Sequence, residues 1–112
     1  MVEELSPETV EATLDELQVV DIRSPSEFER GHIPGAINVP LAELPRRVDD
    51  HDWEDEIVVV CPIGQSSIQA ARLLQSFEGV DDDASVASMT GGYAQWDGDL
   101  EPGDEGTEAD DQ

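Results

Sequence analysis

Lysine is absent from the sequence, and its five basic residues are all arginine. They stand against 28 acidic residues, so the 112-residue chain carries a formal net charge of −23. Proteins that bind nucleic acids place basic side chains on the phosphate backbone and release its counterions. A chain with this composition repels phosphate, which argues against nucleic acid as a partner.

Long apolar segments are missing as well. No apolar run reaches the roughly 18 residues of a membrane-spanning helix. The amino-terminal residues also lack the basic stretch and the apolar stretch of a signal peptide. The single cysteine cannot form an internal disulfide, which fits a reducing compartment. We therefore expect no membrane span and a cytoplasmic location.

The acidity has more than one interpretation. High net charge is typical of disordered chains, yet most of this sequence has the apolar pattern of a folded domain. At molar salt the Debye length is about 3 Å, so repulsion between acidic groups is screened. The sequence thus favours adaptation to a high-salt cytoplasm, a halophilic origin, with an acidic interaction surface as the alternative.

The chain divides into a domain and a tail. Residues 97–112 contain eight acidic residues and no basic ones, which predicts an acidic disordered tail. Residues 1–96 alternate β-rich runs with helical patterns and predict one small α/β domain with a mainly parallel sheet. Ser6 and Ser24 each precede proline and are predicted to cap helices, and Glu27 completes a capping box with Ser24. Predicted strands cover residues 18–23, 36–39, 57–61 and 85–89; Gly79 is predicted to close the longest helix, and a last helix follows Gly91.

One stretch carries most of the chemical information. The four residues before Cys61 are all β-branched, which is typical of a strand buried on both faces of a parallel sheet. After Cys61, Gly64 permits a tight turn, and Ser66 or Ser67 is predicted to cap the next helix. The buried face of that helix is predicted to contain Ala70, Ala71, Leu73, Leu74 and Phe77. The thiol is therefore expected between a strand end and a helix start, where open α/β sheets bind ligands.

This position suits a nucleophile. Backbone N–H groups at a helix start favour a thiolate over a thiol, so they lower the pKa of a cysteine. The alternative is that Cys61 only fills the core, because free cysteine is among the most buried residue types. The local pattern leaves both open.

Several motifs together resemble the single-domain rhodanese family. The similarity covers roughly residues 5–96, and the motifs occur in the family's order, which makes the set more specific than any one motif. The matching residues are Asp21-Ile22-Arg23, Glu27-Phe28, Gly31 to Pro40, the strand ending at Cys61, Gly64, Ser67, Ala70-Ala71, Leu74, and Gly91-Gly92-Tyr93 with Trp96.

The resemblance implies a three-layer domain with a mainly parallel five-stranded sheet flanked by helices, and sulfurtransferase activity. Cys61 would accept a sulfane sulfur as a persulfide from a small donor such as thiosulfate, and pass it to a thiol or a sulfur-carrier protein. No metal or organic cofactor is implied. The backbone amides expected around the persulfide are those of Ile63, Gly64, Gln65, Ser66 and Ser67.

The loop departs from the family pattern. Many thiosulfate-active members have basic side chains there, whereas residues 62–66 are uncharged, and Pro62 lacks an N–H donor. Thiosulfate is therefore expected to be a poor donor, and a persulfide a better one. Phosphatases of the same fold carry Cys-x5-Arg, but position 67 is serine here, which disfavours phosphate chemistry.

The remaining polar residues are interpreted as structural. Asp21 and Arg23 are predicted to stabilise a strand and its turn by charge-assisted hydrogen bonds. His32 is predicted to be a hydrogen-bonded scaffold residue. His51, among neighbouring aspartates, is expected in a solvated loop and not in a metal site. Two classes of function stay open: a sulfurtransferase that uses Cys61, and a non-catalytic binding or redox-sensing module.

Overall fold

A computed structural model describes residues 2–48, 52–77, 79–81 and 83–102. Its centre is a five-stranded sheet with the strand order β1-β5-β4-β2-β3, and all neighbouring strands are parallel. This confirms the predicted fold class. The strands are β1 (Glu3–Leu5), β2 (Gln18–Asp21), β3 (Ile37–Asn38), β4 (Glu56–Val60) and β5 (Ser85–Met89).

Helices cover both faces of the sheet. The α-helices are α1 (Pro7–Ala12), α2 (Pro25–Arg30), α3 (Leu44–Arg47) and α4 (Ser66–Gln75), and short 3-10 helices span Leu14–Glu16, Leu41–Glu43 and Gly92–Gln95. The two predicted serine caps are confirmed, because Ser6 Oγ accepts from Thr9 N at 3.1 Å and Ser24 Oγ accepts from Glu27 N at 3.4 Å. None of the helices in the described ranges is long and apolar enough to cross a membrane.

Strand β4 separates two apolar clusters. Ile57, Val59 and Cys61 point to the side covered by α3 and α4. Val58 and Val60 point to the side covered by α1 and α2. All five are at most 1% exposed, so the β-branched run is buried on both faces as predicted. Burial of each such side chain stabilises the fold by about 1.5–3 kcal/mol, which makes β4 a rigid support for the residue that follows it.

Three local predictions differ from the structure. Strand β1 was not predicted, because it has only three residues and two of them are acidic. It forms by pairing with β5. Helix α4 ends at Gln75, well before Gly79, with Ser76 as its C-cap. The last helix is a single 3-10 turn. Strand β1 and the last turn both depend on contacts with distant segments, β5 and the cysteine loop, which override local propensity, whereas the end of α4 is closed by local hydrogen bonds from Ser76 N.

The segment after Asp97 still contacts the domain. Glu101 and His32 exchange two backbone hydrogen bonds, His32 N to Glu101 O at 3.0 Å and Glu101 N to His32 O at 2.8 Å. The predicted boundary at residue 96 therefore precedes a paired segment. Residues 103–112 of the predicted tail lie outside the described residues, as do His51 and its neighbours Asp49 and Asp50.

Candidate active site

Cys61 lies in a short loop between β4 and α4. The loop turns at Gly64, whose φ of +88° lies in the left-handed region that favours glycine. Helix α4 begins at Ser66, and its N-cap residue Gln65 makes no side-chain capping bond. The predicted serine cap is therefore wrong: the Ser67 side chain is buried and turned toward the cysteine instead of toward the helix start.

Donors from this loop and helix surround the Cys61 sulfur. The backbone N–H of Gly64 lies 3.0 Å from Sγ, and the N–H of Ser67 lies 3.3 Å from it. The Ser67 hydroxyl is 3.4 Å away, and it also lies 2.6 Å from the Ser88 hydroxyl. Cys61 is 0% exposed. The sulfur is thus buried among hydrogen-bond donors.

The environment favours the thiolate. Burial by itself raises the pKa of the Cys61 thiol, because the charged form loses its water. The hydrogen bonds from the Ser67 hydroxyl and from the amides of Ser67, Gly64 and Ile63 act in the opposite direction and prevail, so the pKa is lowered. A thiolate is both the nucleophilic form of cysteine and its better leaving group.

Gly91 and Gly92, which follow β5, lie against the backbone of the cysteine loop. Tyr93 N donates to Cys61 O at 2.9 Å, and Ala94 N donates to Pro62 O at 3.0 Å. These contacts need close backbone approach, because a Cβ on Gly92 would collide with the Cys61 carbonyl oxygen. A Cβ on Gly64 would lie 2.6 Å from the backbone nitrogen of Gly91. The cysteine loop and the turn after β5 therefore form one unit.

A charged cluster lies beside this unit, at the end of β2. The Asp21 carboxylate is fully buried and accepts from Arg23 Nε at 3.1 Å and from Arg23 Nη2 at 3.0 Å. The Tyr93 hydroxyl donates to Asp21 at 2.8 Å, and the Arg23 guanidinium lies 3.7 Å from the Tyr93 ring centroid. Burial and then the Asp21 charge raise the pKa of Tyr93, so the phenol stays protonated.

The family model for the rhodanese-like domain matches residues 6–99, which include the sheet from β2 to β5, the cysteine loop and the glycine turn. The chain belongs to the rhodanese-like domain family.

Relatives of this rhodanese-like domain are named for sulfur chemistry. The thiosulfate sulfurtransferase GlpE of Shewanella oneidensis is 40% identical over 80 residues, which cover 71% of this chain and 75% of that protein. The putative sulfur carrier protein YrkF of Bacillus subtilis is 33% identical over 89 residues, which cover 78% of this chain. The chain spans 45% of YrkF, less than half of its length.

A solved structure agrees on the fold. The rhodanese-like domain protein from Staphylococcus aureus superposes with a TM-score of 0.74, covering 90% of this chain and 98% of that one. The two sequences are 24% identical, so the likeness concerns the fold alone.

The rhodanese-like domain brings only some of the predicted site residues to the sulfur. Gly64 and Ser67 contact it directly. Ile63 is 59% exposed, and its side chain projects outward while its amide faces the sulfur. Gln65 and Ser66 are exposed. Their predicted role around a persulfide remains a prediction.

His32 lies in the scaffold and not beside the thiol. Its Nδ1 is 2.9 Å from Phe28 O, and its ring stacks on the Phe28 ring with a centroid separation of 3.7 Å. The side chain is almost fully buried. These contacts support the predicted scaffold role. Within the described residues, no three His, Cys, Asp or Glu side chains gather as a metal site would require.

Sequence reasoning assigned no role at the site to Ser88. The alternation of β5 places Ser88 on the face opposite to that of Ser85, but nothing local shows that Ser88 meets the Ser67 hydroxyl, a contact that only the fold creates. Gly92 and Tyr93 appeared only as part of a motif, and their contacts with Cys61 and Asp21 became visible in the fold.

Proposed function

We propose that this rhodanese-like domain transfers sulfane sulfur through a persulfide on Cys61. One observation carries the proposal: the backbone N–H groups of Gly64 and Ser67 donate to the buried sulfur of Cys61, and the Ser67 hydroxyl lies 3.4 Å from it, an arrangement that favours the thiolate. The relatives named for sulfur transfer and sulfur carriage support the same chemistry.

The reaction has two steps. The Cys61 thiolate attacks the outer sulfur of a donor; a new S–S bond forms, the donor's own bond to that sulfur breaks, and the remainder leaves with the electron pair, as sulfite when the donor is thiosulfate. An acceptor thiolate, or cyanide in an assay, then attacks the outer sulfur of the persulfide, and Cys61 leaves as a thiolate. No net oxidation occurs, and the amides of residues 63–67 stabilise the anionic forms.

The charge around the loop bears on the donor. Residues 62–66 are uncharged, and Arg23 is already engaged by Asp21. A thiosulfate dianion thus finds no free cation in the loop, while the protein's net charge repels it. We propose that a persulfide, on a small thiol or on a sulfur-carrier protein, is a better donor than thiosulfate.

One observation favours the second candidate, a binding or redox-sensing module. Cys61 is 0% exposed, so a donor reaches the sulfur only when the loop opens. A domain whose cysteine loop never opens could still bind a partner but would not transfer sulfur.

Mass spectrometry separates the two candidates. The protein is incubated with thiosulfate and, separately, with a low-molecular-weight persulfide. We expect a gain of one sulfur atom on Cys61 that is lost on cyanide treatment, with faster loading by the persulfide. A protein that gains no sulfur from either donor is the binding module.

The acidity points to the cellular setting. Within the described residues two ion pairs form, Asp21 with Arg23 and Glu43 with Arg47, so most carboxylates have no cationic partner to offset their repulsion. We propose that the domain works in a cytoplasm of high salt, where this repulsion is screened.

A further inference from the structure

We propose that Ser88 is a positioning residue for Cys61, which directs the Ser67 hydroxyl toward the sulfur. The proposal deepens the proposed function and rests on it only in that Cys61 acts as a thiolate. It concerns a residue of β5 that does not touch the sulfur itself.

Three polar side chains form a buried row beneath the loop. Ser88 Oγ lies 2.6 Å from Ser67 Oγ, and Ser67 Oγ lies 3.4 Å from Cys61 Sγ. All three residues are at most 1% exposed. They come from three elements, β5, α4 and the end of β4, which the fold brings together.

The direction of the hydrogen bonds follows from the partners available. Within the described part of the chain, the hydroxyl of Ser88 has one hydrogen-bond partner, Ser67 Oγ. A buried hydroxyl hydrogen without an acceptor is costly, so Ser88 donates to Ser67. The hydrogen of Ser67 is then left with the sulfur as its acceptor. Ser88 thereby fixes the orientation of the group that touches the nucleophile.

This row favours loss of the thiol proton. With Cys61 protonated, three hydrogens share the two contacts of the row, and one hydrogen has no acceptor. With Cys61 ionised, two hydrogens match two contacts: Ser88 donates to Ser67, and Ser67 donates to the thiolate. Hydrogen bonds in a chain also polarise one another, so the first bond strengthens the second.

Charged groups on the neighbouring elements do not explain the preference. Asp21, the last residue of β2, and Arg23, which follows the strand, are paired with each other. Arg72 lies further along α4 and is exposed, and the Tyr93 phenol is neutral. The pKa of Cys61 is raised by burial and lowered by hydrogen bonds, with no charged side chain among the causes.

The sign of the pH dependence follows. Because the pKa of Cys61 is lowered in the folded state, the stability that the thiolate contributes is fully present above the pKa of the unfolded thiol and is lost as the pH falls through the folded pKa. A variant that weakens the row raises the pKa. The loss of thiolate then begins at a higher pH than in the wild type.

The experiment titrates the thiolate by its ultraviolet absorbance. Cys61 is the sole cysteine, so the signal belongs to one group, and the Cys61→Ser protein supplies the baseline. At a pH below the pKa, Ser67→Ala should lower the thiolate fraction about tenfold, the effect of losing a hydrogen bond to a charged group. Ser88→Ala should lower it about twofold, since it acts through that bond.

The double variant decides whether Ser88 acts through Ser67. In the Ser67→Ala background, Ser88→Ala should cause no further change. Two outcomes would overturn the proposal. In one, Cys61 of the Ser88→Ala protein titrates as in the wild type. In the other, Ser88→Ala lowers the thiolate fraction equally in the wild type and in the Ser67→Ala background. Ser85→Ala, on the same strand but bonded to Glu3, is the matched control and should titrate as the wild type does.

Two further comparisons protect the conclusion. Urea unfolding shows whether each variant is folded. If Ser88→Ala does not fold, Ser88→Thr and Ser88→Val replace it, because they have nearly equal size and differ in the hydroxyl; the valine variant should have the higher pKa. The titration needs no sulfur donor. If the wild type titrates as expected but never carries a persulfide, the proposed function is wrong, while the role of Ser88 is still supported.

Discussion

Two regions meet at the carboxyl end of the sheet, and different forces stabilise them. The cysteine loop, residues 61–65, is held by backbone amides and hydroxyls and contains no charged side chain. The neighbouring cluster of Asp21, Arg23 and Tyr93 is held by a buried ion pair, a phenol hydrogen bond and a cation over an aromatic ring.

The difference suggests separate roles: the cysteine loop carries the proposed chemistry, and the charged cluster stabilises the fold beside it. A neutral shell of hydrogen-bond donors stabilises the thiolate without an opposite charge beside it. The charged cluster fixes the backbone beside it. Tyr93 joins the two regions, since its amide donates to Cys61 O while its hydroxyl donates to Asp21.

The largest effect should come from removing the nucleophile in the neutral loop. Cys61→Ser keeps the size of the side chain and the loop backbone but removes the polarizable thiolate, so sulfur transfer should be abolished while the unfolding transition stays close to that of the wild type. The measurement pairs a transfer assay with urea unfolding. Transfer by the serine variant above the uncatalysed rate would contradict the assignment of Cys61.

A second change breaks the loop's support. Gly92 has a φ of +60°, and an added Cβ would meet both the Cys61 carbonyl and the Gly64 nitrogen. Gly92→Ala should therefore lower transfer at least about tenfold and cost more than the roughly 1–2 kcal/mol of a left-handed alanine. Gly35→Ala is the matched control, because Gly35 has a φ of +83° but its Cβ would meet nothing within 4 Å. Equal losses in the two variants would show that the contact has no role.

A third change tests the charged cluster. Asp21→Asn leaves the largely buried Arg23 without its counter-charge, so unfolding should become easier by about 2–4 kcal/mol. The Cys61 titration should stay that of the wild type, because the loop does not depend on this charge. Glu43→Gln, which breaks the more exposed pair with Arg47, should cost less than about 1 kcal/mol. A shifted Cys61 titration in Asp21→Asn would mean that the regions are not separate.

Salt should act on the charged parts of the molecule and leave the loop chemistry unchanged. Raising KCl from about 0.1 M to about 2 M shortens the Debye length to a few ångströms, so both Tm and kcat/KM for thiosulfate should rise. Circular dichroism and transfer are followed on the full chain and on a chain ending at Pro102, which lacks five acidic residues and should keep most of the salt requirement. Equal stability and activity at both salt concentrations would rule out the halophilic interpretation.

The smallest effect should come from adding a charge to the neutral loop. Ser66→Arg places a cation near an incoming thiosulfate, so KM should fall roughly twofold to fivefold with little change in kcat. Ser76→Arg adds the same charge at the far end of α4 and serves as the control. If both variants lower KM equally, general electrostatics and not the loop decides the choice of donor.

Much of this arrangement was predictable from the sequence. The β-branched run before Cys61 predicted a strand buried on both faces, and Ser24 with Glu27 predicted the start of α2. The motifs around Asp21, Cys61 and Gly91 predicted the family. Each of these signals lies within a few residues along the chain, where spacing and propensity act directly.

The predictions that failed involve contacts between distant residues. Ser66 or Ser67 was expected to cap α4, but Gln65 holds the N-cap position, and the Ser67 hydroxyl instead contacts Ser88, 21 residues away in the chain. Strand β1 exists only because β5 pairs with it.

The sequence by itself therefore determined the strand, the turn and the position, though not the cap, of the helix that together place a cysteine beside backbone donors, because these depend on local geometry. Only the tertiary structure decided which groups surround that cysteine. Tyr93 reaches Asp21 across 72 positions in the chain, and Ser88 of β5 meets Ser67 of α4, because parallel strands gather their carboxyl ends at one edge of the sheet. No local pattern predicts these contacts. The Ser88 hydroxyl and Gly92 matter for the site only because the fold places them against Ser67 and the Cys61 carbonyl.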